Sequence, residues 1–580
     1  MSKQHLNKKK HEETTATYDM WASSSSDDDE ENNNMKDEDE QRLLQDDASD
    51  DGDNREEPQT QESSIKEILD NADDDKPIFL LSQFPSEMEV KFITENYPLK
   101  VSENAFKVPS NFTRFGLSEV INQLLIQEHS EENHPKHVPF EFLIEYKPGK
   151  KIFLRTSLAK FFTKLQIWPE SAITLEYIEA QPAPKCVDSI PHDDWVSALS
   201  LVVHTSGNHL TSNVSDNQYL ISGCYDGVVR VIDTTLGKIV HQTKQSKVPI
   251  TGLATCYIAE HHTSAEDKSF SVGDILIAGC GKDEYGRVWV SNPSEGKMRM
   301  KMLLNGHTDT VNDICLHPRG TMICTASEDR SLKLWEVDLT RSKSSLFYEN
   351  NLPAKDDNDD DEDYKEPTKK KKKMPSQIQQ YAPIGTLERK ESDNQNGHLL
   401  GVTCVKWIEG GRIVSGSSDH TIRVWDVATG VNNITLNGSK VVTSISVKDN
   451  SDSTTVLSSH PDFLIRLWDA RQGGSKKASL FRSHRGWVRK VKWVSDFQFI
   501  SGGDDNVVKL WDIRSGIPIH STPHSVNPER KTISTDKVLS IEGFAPLEGQ
   551  IKEQHHVGQL KYHLFSGSTD CTLKKHTMGQ

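Results

Sequence analysis

Residue types that together can break an acyl bond recur in the second half of this 580-residue chain. His398, Ser415 and Asp419 form one set, and His484, Ser501 and Asp505 form another. A His that takes the proton of a Ser, oriented by an Asp, is the machinery of nucleophilic acyl transfer. Neither Ser sits in the Gly-x-Ser-x-Gly elbow that would expose such a nucleophile. Each set also carries a Trp six residues after its Asp, Trp425 and Trp511. Repetition with a constant Trp fits a structural lock, in which the His links the Asp to a Ser/Thr hydroxyl and thence to the indole N–H. No other constellation offers catalysis. The chain has no Walker loop, no His-Glu-x-x-His and no dinucleotide fingerprint. Neither an enzyme nor a bound cofactor is expected.

The elements that position these residues repeat with them. Five Asp/Trp pairs share the six-residue spacing: Asp283/Trp289, Asp329/Trp335, Asp419/Trp425, Asp462/Trp468 and Asp505/Trp511. The last three pairs stand 43 residues apart, the length of a four-stranded propeller blade. Asp226 and Asp570 open two further copies, with Ile232 and His576 in place of the Trp. That makes seven blades, with weaker locks expected where the Trp is missing. A His precedes the first strand at His192, His307, His398 and His484. The last blade runs out after its third strand, so Lys185–Ile190 is expected to supply the fourth and close the ring. Connectivity predicts the long loops on one rim. Insertions near 204–218, 259–273 and 547–561 join first to second strands, and a charged one joins third to fourth. The domain before the propeller should hang from that rim, leaving the short-turn face open to a flat partner.

Length requires more than one folded unit. Residues 1–75 hold 25 acids and 8 bases, whereas the remaining 505 hold 61 and 60. Residues 1–87 therefore read as a disordered acidic tail. Within it Ser23–Ser26 precede Asp27–Glu31, a pattern suited to acid-directed phosphorylation, though an inert solubilising tail is the plainer reading. The neutral body gives no footprint for wholesale nucleic-acid binding, so no strong direct contact is expected and only local patches stay open. Eight cysteines (186, 224, 256, 280, 315, 324, 404 and 571) are scattered singly, without zinc spacing. No apolar run is long enough to span a membrane, and no signal peptide opens the chain, so a soluble intracellular protein is expected.

Residues 88–180 alternate differently. Strands are expected around Val90–Thr94 and Ala105–Val108. Leu117, Val120, Ile121, Leu124 and Leu125 then mark the apolar face of a helix. Strands at Phe140–Ile144 and Ile152–Arg155, a helical turn at Ser157–Phe162 and a strand at Ala172–Ile178 complete a β-grasp, ubiquitin-like order. Pro182 and Pro184 mark a linker, and residues 185–580 hold the propeller. The fold class is thus mainly β. A charged insertion at about 340–380 interrupts the third blade before a strand near Pro383–Arg389. Its run Lys369, Lys370, Lys371, Lys372 and Lys373 is a nuclear-import candidate, with RNA phosphates as the rival ligand and a solvated loop as the plain reading.

Four stretches carry a family resemblance: Arg114–Leu125, Phe140–Ile144, Leu154–Leu158 and Asp193–Ser197. Over about 88–580 the chain resembles the WD-repeat ribosome-biogenesis factors of the PeBoW complex. The resemblance implies a non-enzymatic assembly factor of the large (60S) subunit, acting in nucleolus and nucleoplasm on precursors of the large-subunit and 5.8S RNAs. It implies that the propeller holds the block-of-proliferation protein, with pescadillo in the same complex. It also implies that the ubiquitin-like domain offers a carboxylate to a Mg²⁺ ion held by the midasin ATPase, which removes the factor from pre-60S particles. The matching position is Glu170, flanked by Trp168-Pro169 where the family has small polar residues, and Glu176 is the fallback. Two rivals are the notchless family, with an extra blade, and a ubiquitin-ligase substrate adaptor, which would need a helical F-box-like segment.

Overall fold

A computed structural model describes residues 84–578, apart from 96–98, 129–136, 148, 166, 169–171, 203–218, 244–247, 259–272, 294, 338–378, 389–396, 409, 451–452, 472–477, 527–532 and 545–561. Residues 1–83 of the expected tail, Glu170 and the five-lysine run lie outside the described residues, whereas the tail's last four residues belong to the fold, with Phe84 buried in the first core and Glu87 opening its first strand.

The first layer is a five-stranded sheet, in the order β2-β1-β5-β3-β4, crossed by two helices. Its elements are β1 (Glu87–Ile93), β2 (Ala105–Pro109), α1 (Arg114–Glu128), β3 (Phe140–Lys147), β4 (Lys150–Phe153), α2 (Leu158–Leu165) and β5 (Ile173–Glu179). The central pair, β1 with β5, is parallel, and the other pairings are antiparallel. This is the β-grasp order. Leu117, Ile121 and Leu125 of α1 are buried on one helical stripe against Val90, Phe92, Phe142 and Leu175 of the sheet. Two polar helix residues act as surrogate strand edge. Ser118 Oγ accepts from Phe140 N at 3.0 Å, and the Asn122 amide exchanges two hydrogen bonds with the backbone of Val138 at 2.8 and 2.9 Å. They fix where β3 starts, by satisfying backbone groups that the sheet leaves open.

Among the described residues, seven further sheets follow. Their innermost strands are Val196–Leu201, Ile250–Tyr257, Val311–Leu316, Val402–Ile408, Ser444–Asn450, Val488–Trp493 and Val538–Phe544. Each packs on the next, and the last packs on the first, so the ring is closed. The seventh sheet takes its outer strand from β6 (Lys185–Pro191), which pairs antiparallel with Thr572–Met578, from Thr572↔Pro191 to Thr577↔Lys185. Closure by the two ends of the propeller sequence removes a free sheet edge.

Blade 2 differs from expectation in having five strands. Gln379–Tyr381, the first described residues after the charged insertion, pair in parallel with Met302–Leu304 on its outer edge. The chain then crosses to blade 3 and supplies that blade's outer strand at Gly385–Leu387. An exposed edge accepts any extended segment in register, which a three-residue span cannot signal in sequence.

The β-grasp domain is seated on blade 6. Arg514 Nη1 lies 3.2 Å from Glu176 Oε1, Arg155 donates to Ile519 O at 3.3 Å, and Lys151 bridges in parallel to Ser515. Gln181 donates to Gln498 at 3.0 Å, and His520 contacts Gln181 O at 2.8 Å. Ile517 and Ile519 join the same apolar cluster as the β-grasp core. These blade-6 residues lie where first joins second strand and third joins fourth. That is the rim from which the long connections of blades 1, 2, 3 and 7 also leave.

Candidate functional site

Every blade turns from its second to its third strand through the Asp, and the turn is shaped by it. Asp419 Oδ1 accepts from Thr421 N at 2.9 Å, and the same bond recurs at Asp329, Asp226 and Asp570 at 2.8–3.0 Å. In six blades the residue between is left-handed: Gly227, Arg330, His420, Phe463, Asn506 and Cys571 have φ of 59–75°. Side chains adopt that region at a cost, here offset by the carboxylate's hydrogen bonds.

Blades 3, 4 and 6 hold a continuous chain of hydrogen bonds. In blade 4, His398 Nδ1 lies 3.0 Å from Asp419, its Nε2 lies 2.7 Å from Ser415 Oγ, and Trp425 Nε1 donates to that hydroxyl at 2.8 Å. Blade 6 repeats this through His484, Asp505, Ser501 and Trp511, at 2.8, 2.6 and 2.8 Å. Blade 3 does so through His307, Asp329 and Trp335, with Thr325 as the hydroxyl. A nucleophilic Ser would need an open face, yet Ser415 and Ser501 are fully buried under their Trp. Burial pushes the Asp419 carboxyl up, but its hydrogen bond to His398 and that ring's charge outweigh this and hold it well below the usual range. Burial lowers the His398 pKa as well. The set is a buried polar strut, without the exposed hydroxyl that acyl transfer needs.

Blades 1, 2 and 5 depart from the expected His link, whereas in blade 7 His524 keeps it, 3.4 Å from Asp570. In blades 1, 2 and 5 an Arg four residues after the Asp takes the carboxylate: Arg230 with Asp226 at 2.9 Å, Arg287 with Asp283, and Arg466 with Asp462. His192 in blade 1 still reaches Ser222 Oγ at 2.9 Å, but its other nitrogen contacts Ile190 O rather than Asp226. In blade 5 the hydroxyl is Ser458, which accepts from Trp468 at 2.8 Å and meets His460 from its own turn at 2.7 Å. In blade 7, Ser566 is shared by His524 at 2.7 Å and His576 at 3.3 Å, so His576 occupies the place of the Trp. Blade 2 has Gly279 where the others have Ser or Thr, ten residues before the Trp, and Trp289 Nε1 is buried without a partner. The Asp-x-x-x-Arg spacing of blades 1, 2 and 5 does not decide the lock by itself, because Asp419 and Arg423 share it in blade 4, where His398 takes the carboxylate.

Two surfaces face outward from this frame. The short-turn face carries Trp195 tilted at 56° against Tyr225 (ring centroids 5.2 Å apart), and Trp487 beneath the Arg489 guanidinium (5.0 Å), which Asp504 grips through both oxygens at 2.7 and 2.8 Å. Leu399, Leu400 and Phe463 are exposed in the turns of the same face. Aromatic and aliphatic groups framed by fixed charges suit a protein partner. The second surface is the β-grasp end that carries Trp168. Trp168 there stacks on Phe84 at 4.9 Å and is 39 % exposed. Glu176, the fallback carboxylate, is only 5 % exposed and is held by Lys151 at 2.5 Å and by Arg514. It is spoken for, and cannot reach a metal in another protein.

Comparison with known proteins agrees with both halves. The NLE (NUC135) domain model matches residues 88–162, and the WD domain, G-beta repeat model matches 184–233, 298–336, 389–426 and 475–512. Those four repeats lie in blades 1, 3, 4 and 6 and include all three with the full His–Asp–Trp chain. Neither model describes an enzymatic family. Similar proteins include the "Ribosome biogenesis protein WDR12 homolog" of Dictyostelium discoideum, 30% identical over 85% of this chain and 95% of the relative. The homologue of that name from Ixodes scapularis is 30% identical over 74% and 89%, and that from Arabidopsis thaliana 29% identical over 74% and 88%. With a β-grasp domain fused to a closed WD-repeat ring and this extent of similarity, the chain belongs to the WDR12 family of ribosome biogenesis proteins.

Proposed function

We propose that this protein is an assembly factor of the large ribosomal subunit, bridging a propeller partner and a remodelling ATPase on precursor particles in the nucleolus and nucleoplasm. Membership in a family named for ribosome biogenesis supports a role in ribosome assembly. In this reading the short-turn face binds the block-of-proliferation protein within a complex that includes pescadillo, and the protein is required for maturation of large-subunit and 5.8S RNA. The β-grasp domain presents Glu170 to a Mg²⁺ ion held by midasin. A hard cation with one open position prefers a carboxylate oxygen, and a neutral amide there is weaker.

The observation that carries this reading is the joint on blade 6. A β-grasp domain joined to blade 6 through Glu176–Arg514, Arg155–Ile519 and Gln181–Gln498 passes a pull on one end of the molecule to the propeller and whatever it holds. A tethered domain on a free linker would first take up slack. The test is Glu170→Gln in the full chain. Midasin binding in Mg²⁺ should be lost while the propeller partner still co-purifies, and the variant should accumulate on pre-60S particles. Unchanged midasin affinity would remove Glu170 from the role. Co-purification with cullins in place of ribosomal proteins would favour a ubiquitin-ligase adaptor.

A further inference from the structure

The outer strands of the blades are poor in charge, with one exception. Val431–Asn437 of blade 4 and Pro518–Pro523 of blade 6 contain no Lys, Arg, Asp or Glu. Blade 2's outer strand, Lys297–Asn305, has Lys297, Arg299 and Lys301 within its first five residues. Met298 and Met300 turn inward and pack on the apolar core between blades 1 and 2. Strand alternation therefore puts Lys297 and Arg299 on the outside, where both are exposed and about 6.7 Å apart along the strand.

Blade 1's outer strand, Lys238–Thr243, runs beside this one. Between them is an open groove of about 500 Å³ lined by His241, Gln242, Thr243, Lys297, Met298 and Arg299. His241 is anchored through Nε2 to Ser291 Oγ at 2.5 Å, while its buried Nδ1 has no protein partner. Across Lys238–Thr243 and Glu295–Lys301 there are four Lys or Arg residues and one acid. That acid, Glu295, is exposed and pairs with Lys297 at 2.8 Å. Among the described residues, the parallel strand Gln379–Tyr381 pairs with Met302–Leu304 on the outer edge.

We propose that the groove between the outer strands of blades 1 and 2 binds the phosphate backbone of single-stranded RNA. A guanidinium and an ammonium on alternate strand positions suit successive phosphates, and Arg can engage one through two parallel N–H donors. No exposed aromatic side chain lines the groove to stack a base, so binding is independent of sequence, modest and sensitive to salt. The choice of RNA over another polyanion rests on the ribosome-assembly role. The test uses purified components and reads binding separately from assembly.

Fluorescence anisotropy of a labelled 20-nucleotide oligouridylate with the full-length protein, across a salt series, measures it. Lys297→Gln with Arg299→Gln should weaken binding about tenfold or more at low salt and flatten the log–log salt slope by about 1.4, roughly 0.7 per lost phosphate contact on a single strand. The lysine run is kept intact in every variant, so a loss reports the groove. If that pair fails to fold, Lys238→Gln, at the start of the facing strand, should give a smaller loss in the same direction. Wild-type affinity and slope in a folded Lys297→Gln, Arg299→Gln protein would overturn the proposal. So would binding of a poly-glutamate peptide in preference to the RNA.

Discussion

Arg514, two residues past the third strand of blade 6, lies 3.2 Å from Glu176 in the central strand of the β-grasp sheet, 338 residues earlier in the chain. The same guanidinium donates to Asp512 at 2.7 and 2.9 Å, so it arrives at the joint already oriented. A buried carboxylate with two cationic partners resists displacement more than an exposed pair, because separation returns neither charge fully to water.

Arg514→Ala should loosen this joint and leave both folds intact. A loss of about 1–3 kcal/mol is expected for a part-buried charged hydrogen bond. Hydrogen exchange should quicken in Ile173–Glu179 and in Pro518–Pro523, with no change in blades 2 to 4. Uniform protection across the joint would mean that the apolar contacts of Ile517 and Ile519 hold it unaided.

Removal of a blade lock should act on folding alone. Trp425→Ala deletes a fully buried indole and should cost about 3–5 kcal/mol. Asp419→Ala leaves His398 and the turn amide of Thr421 unpaired and should cost about 1–3 kcal/mol. Thermal unfolding checks both. A variant with unchanged Tm that binds its protein partner less well would move these residues to an interface.

Blade 2 invites a repair that should fail. Serine at position 279 would offer Trp289 Nε1 the acceptor that the other blades provide. A Cβ there, however, falls 2.8 Å from the Trp289 ring and 3.1 Å from Leu253. Gly279→Ser is expected to lower stability by about 1–3 kcal/mol through overpacking. A raised Tm would show that the ring can shift and take the hydrogen bond.

Stability should fall on acidification in two stages. Burial, reinforced by Arg466 for His460 and by His524 and Lys574 for His576, lowers both pKa values to about 4. The unfolded chain then takes up protons that the native state refuses, so stability declines as pH drops from about 6.5 toward 4, by at most about 2–3 kcal/mol per group. Below about 4 the carboxylates follow. Asp570, raised by burial but lowered further by His524 and Thr572 to about 2, together with Asp329 and Asp419, loses its contribution as the folded groups protonate. Urea unfolding at pH 7, 5 and 3.5 measures both stages. Replacing His460 and His576 with Gln should reduce the first stage, to which His192, His398 and His484 also contribute because burial lowers their pKa values, and leave the second.

The blades were legible in sequence because their chemistry is local. Asp, left-handed residue and Trp lie within seven positions, and the turn they make depends on little else. The repeat length placed seven such turns, and the missing fourth strand of the last blade pointed to β6. The β-grasp order was legible too, since each element shows its own period in apolar residues. Tertiary structure decided what depends on distant partners. Whether an Asp is claimed by His or by the Arg four residues on was settled by the strand before the blade, as at Asp226, where Arg230 wins although His192 is present. The fifth strand of blade 2 pairs residues 77 positions apart over three residues, too short to leave a period. Glu176 reads in sequence as one alternating acid of an ordinary strand. Only the approach of Arg514 and Lys151 makes it the buried centre of a joint, because a charge is stable out of water only where the fold brings it a partner.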